Sequence, residues 1–280
     1  MRDLTEENVT EAVLEKFAST PDPRLQAVMA SFIKHLHGFI RDVEPTEEEW
    51  FQGITFLTEL GQMCDDVRQE NILWSDTLGV SILVDSINHR RPEGASQSTV
   101  LGPFYREGAP DFENCGDIGA NTEGHSTRIR GRILDFEGNP VANACLDVWQ
   151  TAPNGLYEVQ DPEQPEYNLR GKFYSDDNGY YELLTVAPVS YSIPTDGPVG
   201  KMLNATGVHP LRPAHVHFIV TAEGYEPVVT QLFTEGDEYL DSDAVFGVKN
   251  SLVVEYQSSS DDEEFLVNYD FVLVRSAHRQ

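Results

Sequence analysis

Basic residues are scarce in this chain. Its 280 residues include 19 lysines and arginines against 47 aspartates and glutamates, and the formal net charge is −28. A surface with this much negative charge repels phosphate groups, so the composition argues against nucleic-acid binding and disfavours binding to anionic membranes. The charge alone does not indicate what the protein binds instead.

Cysteine is also scarce, since only Cys64, Cys115 and Cys145 occur. An odd and widely spaced set argues against a disulfide framework and is typical of a reducing cytosol. The first residues lack the apolar segment of a secretory signal, and no apolar run reaches the length of a membrane span. We therefore expect a cytoplasmic protein that is not embedded in a membrane.

The N-terminal part of the chain has the apolar spacing of helices. In about the first 90 residues, apolar side chains recur every three to four positions. Thr5 is the expected cap of a short first helix, Thr46–Glu49 has the pattern of a capping box, and a further helix is expected from Thr77 to Ile87. The clearest apolar stripe lies on the second expected helix and comprises Leu25, Val28, Phe32, Leu36, Phe39 and Val43.

Beyond Ser126 the pattern changes to short β-rich segments separated by turn residues. Several such segments without intervening helices imply an antiparallel β-sandwich. The expected fold is therefore mainly β with α, with a helical domain over residues 1–100 and a β-sandwich domain over residues 101–280. The expected strands are Ile129–Phe136, Cys145–Trp149, Tyr180–Val186, Ala214–Val220, Val228–Phe233, Leu252–Tyr256 and Phe271–Val274.

The pair His215 and His217 is the strongest candidate for chemistry. Side chains two apart on a strand share a face, so both imidazoles point the same way from the otherwise apolar segment Ala214–Val220. Buried imidazoles are costly unless something pairs with them, and a metal ion is the usual partner. The pattern alone leaves open two core histidines that are satisfied by backbone groups or carboxylates.

Two tyrosines stand in loops, where functional residues concentrate. Tyr157 follows an expected strand, and Tyr191 lies in a proline-rich segment. Most of the 11 tyrosines must be structural, so spacing alone makes these two only weak candidates for ligands. Tyr174, Tyr180 and Tyr181 have the context of ordinary strand residues.

Six short motifs, in this order along the chain, resemble those of the intradiol ring-cleavage dioxygenases, the non-haem Fe(III) enzymes that open catechol rings. In that family two tyrosines and a His-x-His pair hold the iron. The resemblance implies one Fe(III) per subunit, and phenolate oxygen is a hard, charged donor that suits this ion. The implied ligands are Tyr157, Tyr191, His215 and His217. The motifs are Leu101–Tyr105, Gly138–Pro140, Leu146–Gln150, Asn154–Tyr157, Arg212–His217 and Gln231–Phe233.

The resemblance also implies roles in the reaction, in which O2 and a catecholic substrate give a product cleaved between the two hydroxyl-bearing carbons. Tyr191 would leave the metal and carry away a substrate proton. Arg212 would stabilise the anionic ring by charge-assisted hydrogen bonding, and Gln231 would lie beside the site. The implied substrate pocket comprises Leu73, Asp76, Val100, Leu101, Gly102, Pro103, Phe104, Ile193, Pro194, Arg212 and Val245.

Asp76 is the one carboxylate among apolar pocket positions. It could accept a hydrogen bond from a third ring hydroxyl, although a helix-capping aspartate is an equally good interpretation. The segments that follow Trp149 and Ile193 look most like hydroxyquinol 1,2-dioxygenases, which favours benzene-1,2,4-triol and the product maleylacetate. A catechol 1,2-dioxygenase giving cis,cis-muconate is the alternative.

The family resemblance assigns the N-terminal helices to a two-fold homodimer interface that encloses a phospholipid. Two interpretations from other classes remain open on sequence grounds. One is a non-catalytic β-sandwich binding module in which Tyr157 and Tyr191 only pack, and the other is a copper or zinc sandwich that uses the two histidines alone. Colour distinguishes them, because only a ferric phenolate predicts a wine-red protein.

Overall fold

The computed structural model describes residues 2–66, 68–259 and 263–276. The chain forms two compact units, of which the first ends at Thr58 and the second begins at Glu59. This boundary lies within a helix, and it reflects which residues contact one another. The functional division at residues 100 and 101 remains a prediction.

The first unit is helical. Its elements are α1 (Val9–Phe17), α2 (Pro23–Val43) and most of α3 (Glu47–Gln62). The expected capping box opens α3, because the Glu49 N–H donates to Thr46 Oγ1 at 3.2 Å and the Thr46 N–H donates to Glu49 Oε2 at 2.8 Å. The cap expected at Thr5 is wrong, since Asn8 occupies the N-cap position of α1.

The apolar stripe of α2 is largely solvent-exposed in the single chain. Its six members are between 43% and 58% exposed, whereas Ile33 is the buried residue of this helix. The 3.6-residue period therefore predicted the helix correctly. The stripe does not form the core of this unit.

Two helices open the second unit where one was expected. They are α4 (Glu70–Thr77) and α5 (Val80–Asn88). Gly79 separates them with φ +68°, a left-handed conformation that ends the first helix at little cost for glycine. The expected helix over Thr77–Ile87 corresponds to α5. Helix α4 was not expected, because its apolar residues Ile72, Leu73 and Trp74 are consecutive and lack the helical spacing.

The second unit continues with a β-sandwich, as expected. Within the described residues the strands are β1 (Gly116–Asp117), β2 (Ser126–Asp135), β3 (Cys145–Trp149), β4 (Arg170–Tyr174), β5 (Tyr180–Val186), β6 (Tyr191–Ser192), β7 (Leu211–Arg212), β8 (His215–Thr221), β9 (Val228–Thr234), β10 (Val253–Val254), β11 (Gln257–Ser258), β12 (Phe265–Asn268) and β13 (Phe271–Leu273). One sheet has the order β1-β5-β2-β12-β11, with β13 also paired to β2. The other has the order β10-β9-β8-β3-β4, and β6 pairs with β7.

The long ladders of both sheets are antiparallel, namely β2 with β5, β3 with β4 and β8, and β8 with β9. Parallel pairing involves the short strands β1, β10, β12 and β13. Inward side chains of the two sheets form one apolar core. It includes Ile129, Ile133, Leu146, Val148, Leu183, Val216, Phe218, Val220, Leu232 and Phe271.

The expectation of strands without intervening helices is wrong at one place. Helix α6 (Pro198–Thr206) lies between β6 and β7. It begins with proline in its first turn and ends before Gly207, which has φ +71°. Proline and glycine at these positions are helix-terminus signals that also resemble loop composition. Strands β1, β4, β6, β7, β11 and β12 were not expected, and the segment expected over Leu252–Tyr256 shortens to β10.

None of the helices in the described part of the chain is long and apolar enough to cross a bilayer.

Candidate metal centre

The two histidines of β8 lie on the outer face of the five-stranded sheet. Val216, Phe218 and Val220 alternate with them and point into the sandwich core. The alternative of two histidines within the sandwich core is therefore wrong. Both imidazoles are only 2% exposed, because loops and not the second sheet cover them.

Strand register places a row of functional side chains across this outer face. His217 stands opposite Trp149 on β3 and opposite Gln231 on β9, and Trp149 stands opposite Arg170 on β4. The Trp149 and His217 rings stack with centroids 4.5 Å apart and planes 9° apart. This stack fixes the plane of the His217 ring.

Tyr157 closes over the histidines from the loop after β3, and Tyr191 does so from strand β6, although a loop was expected there. Tyr157 precedes a short 3-10 turn, Glu158–Gln160, and its N–H donates to Gln160 Oε1 at 3.0 Å. The Glu158 carboxylate accepts from Arg170 Nε at 2.7 Å, and both side chains are buried. This ion pair holds the turn against β4, and so holds Tyr157 over the sheet.

The polar atoms of the four candidate ligands converge. Tyr157 Oη is 3.0 Å from His217 Nε2 and 3.2 Å from Tyr191 Oη, and the Nε2 atoms of His215 and His217 are 3.1 Å apart. Bonds from a transition metal to nitrogen or oxygen are about 2.0–2.2 Å long, so neighbouring donors on one ion are separated by about 3 Å. The four side chains therefore fit a shared metal ion.

The protonation states suit a metal as well. Burial lowers the pKa of His215 to about 3 and that of His217 well below its usual value, so both imidazoles are neutral. His215 Nδ1 lies 2.7 Å from the Pro213 carbonyl oxygen, which can only accept a hydrogen bond. We therefore assign the proton to Nδ1, which leaves the Nε2 lone pair facing the cluster.

Burial also raises the pKa of Tyr157 well above 10, and the neighbouring Tyr191 raises it further. A phenol in this environment stays protonated unless a strong cation binds it. Among the described residues, no three His, Cys, Asp or Glu side chains are grouped closely enough to hold a metal. The tyrosines are thus essential to any metal site here.

Arg212 is buried beside the cluster and is not a surface residue. Its Nη1 lies 3.1 Å from His215 Nε2 and 3.5 Å from Tyr191 Oη. Its Nη2 donates to Gln231 Oε1 at 2.7 Å, and Gln231 Nε2 donates to the Val100 carbonyl at 2.6 Å. Arg212 and Gln231 therefore both lie beside the candidate ligands.

Asp243 also contacts Arg212, and sequence reasoning missed it. Its carboxylate accepts from Arg212 Nε at 2.9 Å and from Nη2 at 3.2 Å. The carboxylate is buried and follows Arg212 by 31 positions. No sequence signal distinguishes it among 47 acidic residues.

The expected pocket residues are only partly gathered around the donor atoms. A side chain at Gly102 would approach His217 Cε1 to 3.5 Å, and the Phe104 ring stacks on Tyr157 with centroids 4.7 Å apart. Val100, Leu73, Ile193 and Val245 are buried, and Pro103 and Pro194 are half-buried. Leu101 is exposed, unlike the apolar wall that was expected.

Asp76 is buried in the last turn of α4, so it is not an N-terminal helix cap. Burial raises its pKa from 3.8 to about 6, against the lowering effects of a hydrogen bond from Ser81 and the charge of Arg212. The carboxyl group is therefore close enough to Arg212 to feel its charge.

Comparison with known proteins covers nearly the whole chain. Residues 22–96 match the family described as the N terminus of catechol dioxygenases, and residues 100–275 match the family described as dioxygenase. The chain is 48% identical to a hydroxyquinol 1,2-dioxygenase of Rhizobium sp., over 97% of this chain and 96% of that protein. It is 45% identical to a 6-chlorohydroxyquinol 1,2-dioxygenase of Cupriavidus pinatubonensis, over 98% and 99% respectively.

Among solved structures, the hydroxyquinol 1,2-dioxygenase of Pseudomonas putida DLL-E4 superposes with a TM-score of 0.91 at 49% identity. The match covers 97% of this chain and 99% of that one. Both the helices and the sandwich are therefore shared with that enzyme.

Proposed function

Because the chain belongs to the intradiol ring-cleavage dioxygenases, we propose that it cleaves hydroxyquinol, benzene-1,2,4-triol, with O2. The bond between the carbons that bear the adjacent hydroxyls breaks. The product is 3-hydroxy-cis,cis-muconate, whose keto form is maleylacetate. The high identity to two enzymes named for hydroxyquinol substrates supports this choice over catechol.

The observation that carries the proposal is the convergence of two phenol oxygens and two imidazole nitrogens, each of which lies 3.0–3.2 Å from at least one other. The family depends on non-haem iron, and this donor set suits Fe(III) because two phenolates offset most of its charge. We propose one Fe(III) per subunit, held by Tyr157, Tyr191, His215 and His217. When bound, it supplies a Lewis acid that withdraws electron density from the ring.

The side chains around this centre supply the proton and charge chemistry. In the proposed reaction the Tyr191 oxygen receives a proton from one substrate hydroxyl as the substrate binds. Arg212 Nη1 then lies next to the negative charge on the ring oxygens and stabilises it by a charge-assisted hydrogen bond. Gln231 holds Arg212 and is anchored in turn by the Val100 carbonyl.

The substrate pocket is proposed to combine apolar walls with one carboxylate. Val100, Ile193 and Val245 exclude water from the ring, as an aromatic substrate requires. Leu101 is exposed, so the remaining walls are assigned to Leu73, Gly102, Pro103, Phe104 and Pro194. Asp76 is ionised above pH 6 and then accepts a hydrogen bond from the third hydroxyl of the triol.

Turnover of benzene-1,2,4-triol and catechol by the same preparation tests the substrate assignment. We expect the triol to have the higher kcat/KM. Asp76→Ala should lower kcat/KM for the triol by about 10–100-fold, since a hydrogen bond to a charged group contributes about 1.5–3 kcal/mol. Catechol lacks the third hydroxyl, so its kcat/KM serves as the control. Faster cleavage of catechol by the parent protein would refute the triol assignment.

We further propose that two chains form a homodimer through the helices of the first unit, and that the apolar surface there holds a phospholipid. The exposed stripe of α2 supports an apolar partner surface. Organic extraction of the purified protein followed by mass spectrometry should find a phospholipid in a fixed ratio to protein. Protein that is dimeric but free of lipid would contradict the lipid and leave the dimer standing.

A further inference from the structure

One edge of the Arg212 guanidinium is held by an acidic residue and a glutamine, and the other edge faces the candidate metal ligands. Of its five N–H groups, Nε and Nη2 donate to Asp243 at 2.9 and 3.2 Å, and Nη2 also donates to Gln231 at 2.7 Å. Only Nη1 faces Tyr191 Oη and His215 Nε2. A planar fork bound along one edge has its remaining edge aimed in a single direction.

Asp243 is itself held in place by the turn that follows it. Its Oδ1 accepts the Val245 N–H at 3.3 Å, and its Oδ2 accepts the Gly247 N–H at 2.9 Å. The Gly247 carbonyl in turn accepts from Thr99 Oγ1 at 2.6 Å. Phe246 adopts φ +58° within this turn, a conformation that a non-glycine residue rarely adopts without such support.

The backbone of the turn also lies close to the ion pair between Arg212 and Asp243. A Cβ atom at position 247 would lie 3.1 Å from Arg212 Nη2 and 3.2 Å from Asp243 Oδ2. Glycine therefore allows the backbone to pack directly against the ion pair. Val245, one of the proposed pocket walls, lies two residues after the carboxylate, so the same turn carries the anchor and part of the pocket.

We propose that Asp243 is a positioning residue for ring cleavage, which aims Arg212 Nη1 at the substrate oxygens. This role rests on the proposed function. It differs from that of a buried counterion, because a counterion would affect stability alone. A positioning role instead predicts that removing Asp243 lowers turnover, and that it does so only when residue 212 is an arginine.

The test uses the iron-loaded enzyme and the substitution Asp243→Asn, which keeps the shape and one acceptor but removes the charge and the two-point grip. We expect kcat to fall by about 10–100-fold, less than the roughly 100–1,000-fold loss on removing a transition-state donor outright, because Arg212 itself remains, while KM changes less than about threefold. Iron content per folded protein and the visible band are measured in parallel. Retained iron shows that the loss arises in turnover and not in metal binding.

A double-mutant cycle tests whether Asp243 affects turnover through Arg212. Lysine cannot make the bidentate contact, so Asp243→Asn should change kcat by less than about twofold in an Arg212→Lys background. The matched control is Glu263→Gln, which breaks a buried ion pair with Arg128 on the other sheet. It should lower the thermal unfolding temperature of the metal-free protein and leave kcat unchanged.

The outcomes separate the two proposals. An active parent with an unchanged kcat in Asp243→Asn, or equal losses in both Arg212 backgrounds, overturns the positioning role alone. A parent that cleaves neither triol nor catechol overturns the proposed function and the positioning role together. If Asp243→Asn does not fold, Asp243→Glu keeps the charge while displacing the carboxylate, and the same loss of kcat is expected.

Discussion

Tyr157 and Tyr191 have different surroundings, although both are proposed ligands. Tyr157 Oη contacts two other candidate donor atoms, whereas Tyr191 Oη contacts one of them and the Arg212 side chain. Tyr157 is almost fully buried, and its high pKa means that only a bound cation can keep it ionised. The two phenols should therefore contribute differently to metal retention.

Tyr157→Phe should cost more iron than Tyr191→Phe, since it removes the oxygen closest to His217. Both substitutions should bleach or shift the visible phenolate band. Metal analysis and absorption spectra of the purified variants provide the measurement. Tyr181→Phe is the control, because this buried tyrosine donates to the Tyr269 carbonyl in the sandwich and should leave the band unchanged. Equal spectra in all three variants would contradict a tyrosinate centre.

Asp76 predicts a pH dependence of stability. Its pKa of about 6 lies above the usual 3.8, so the folded state binds the proton more tightly than the unfolded state does. The ionised carboxylate consequently destabilises the fold above pH 6, by about 3 kcal/mol for a shift of about two units. That penalty is relieved as the pH falls from 6 towards 3.8.

Asp76→Asn should thus stabilise the protein at pH 8, and by about 1 kcal/mol less at pH 5. Urea unfolding of the metal-free parent and variant at the two pH values measures the difference. A stability difference that does not change with pH would show that Asp76 is not the titrating group. Activity is expected to respond in the opposite direction, because the carboxylate that costs stability is the form that accepts the substrate hydroxyl.

At the scale of elements, helix α2 is stabilised by its own cap but leaves its apolar face exposed. Its cap is complete within the chain, since the Asp22 carboxylate accepts the N–H groups of Arg24 and Leu25 and Pro23 occupies the first turn. Its apolar stripe is nevertheless exposed. A well-formed helix that leaves its apolar face in water is typical of a subunit interface.

Phe32→Ser should weaken the proposed dimer. Full burial of a phenylalanine side chain contributes about 1.5–3 kcal/mol, and a two-fold interface loses two of them, so the dissociation constant should rise by at least about 100-fold. Sedimentation over a range of concentrations measures this. Lys34→Ser, about 200° around the helix, should leave the association unchanged. A parent that is monomeric at micromolar concentration would contradict the dimer.

At the scale of the whole molecule, the net charge of −28 opposes compaction. Several of the basic side chains form ion pairs, and Arg128 contacts both Glu182 and Glu263. The acidic residues outnumber the basic residues by 28, so the basic residues offset only part of the negative charge. Repulsion across the surface is therefore a standing cost to the folded state.

Salt should stabilise the protein by screening this repulsion. Raising KCl from ~0.02 to ~0.3 M shortens the Debye length to less than the size of a domain, so the thermal unfolding temperature should increase. Sorbitol at matched osmolality controls for effects of solute alone. A fall in unfolding temperature with KCl would indicate that attractive surface pairs outweigh the repulsion.

Local rules were sufficient for much of the fold and the family. The two-residue period of β8 put His215 and His217 on one face, and the spacing of apolar residues predicted α2 and the capping box of α3 correctly. Local rules failed for helices that lack the usual apolar spacing or whose end signals resemble a loop. The apolar residues of α4 are consecutive and gave no helical spacing, and Pro198 marks the start of a helix although its surroundings look like a loop.

By itself, the sequence determined the fold class, the family and the pair of imidazoles, because each depends on neighbours in the chain or on short motifs. Only the tertiary structure decided that the imidazoles face away from the sandwich core, and that Asp243 holds Arg212. Those facts depend on which loops cover a sheet and on contacts between residues 31 positions apart. A carboxylate has no local pattern that reveals its partner, since the contact forms only when the two segments pack.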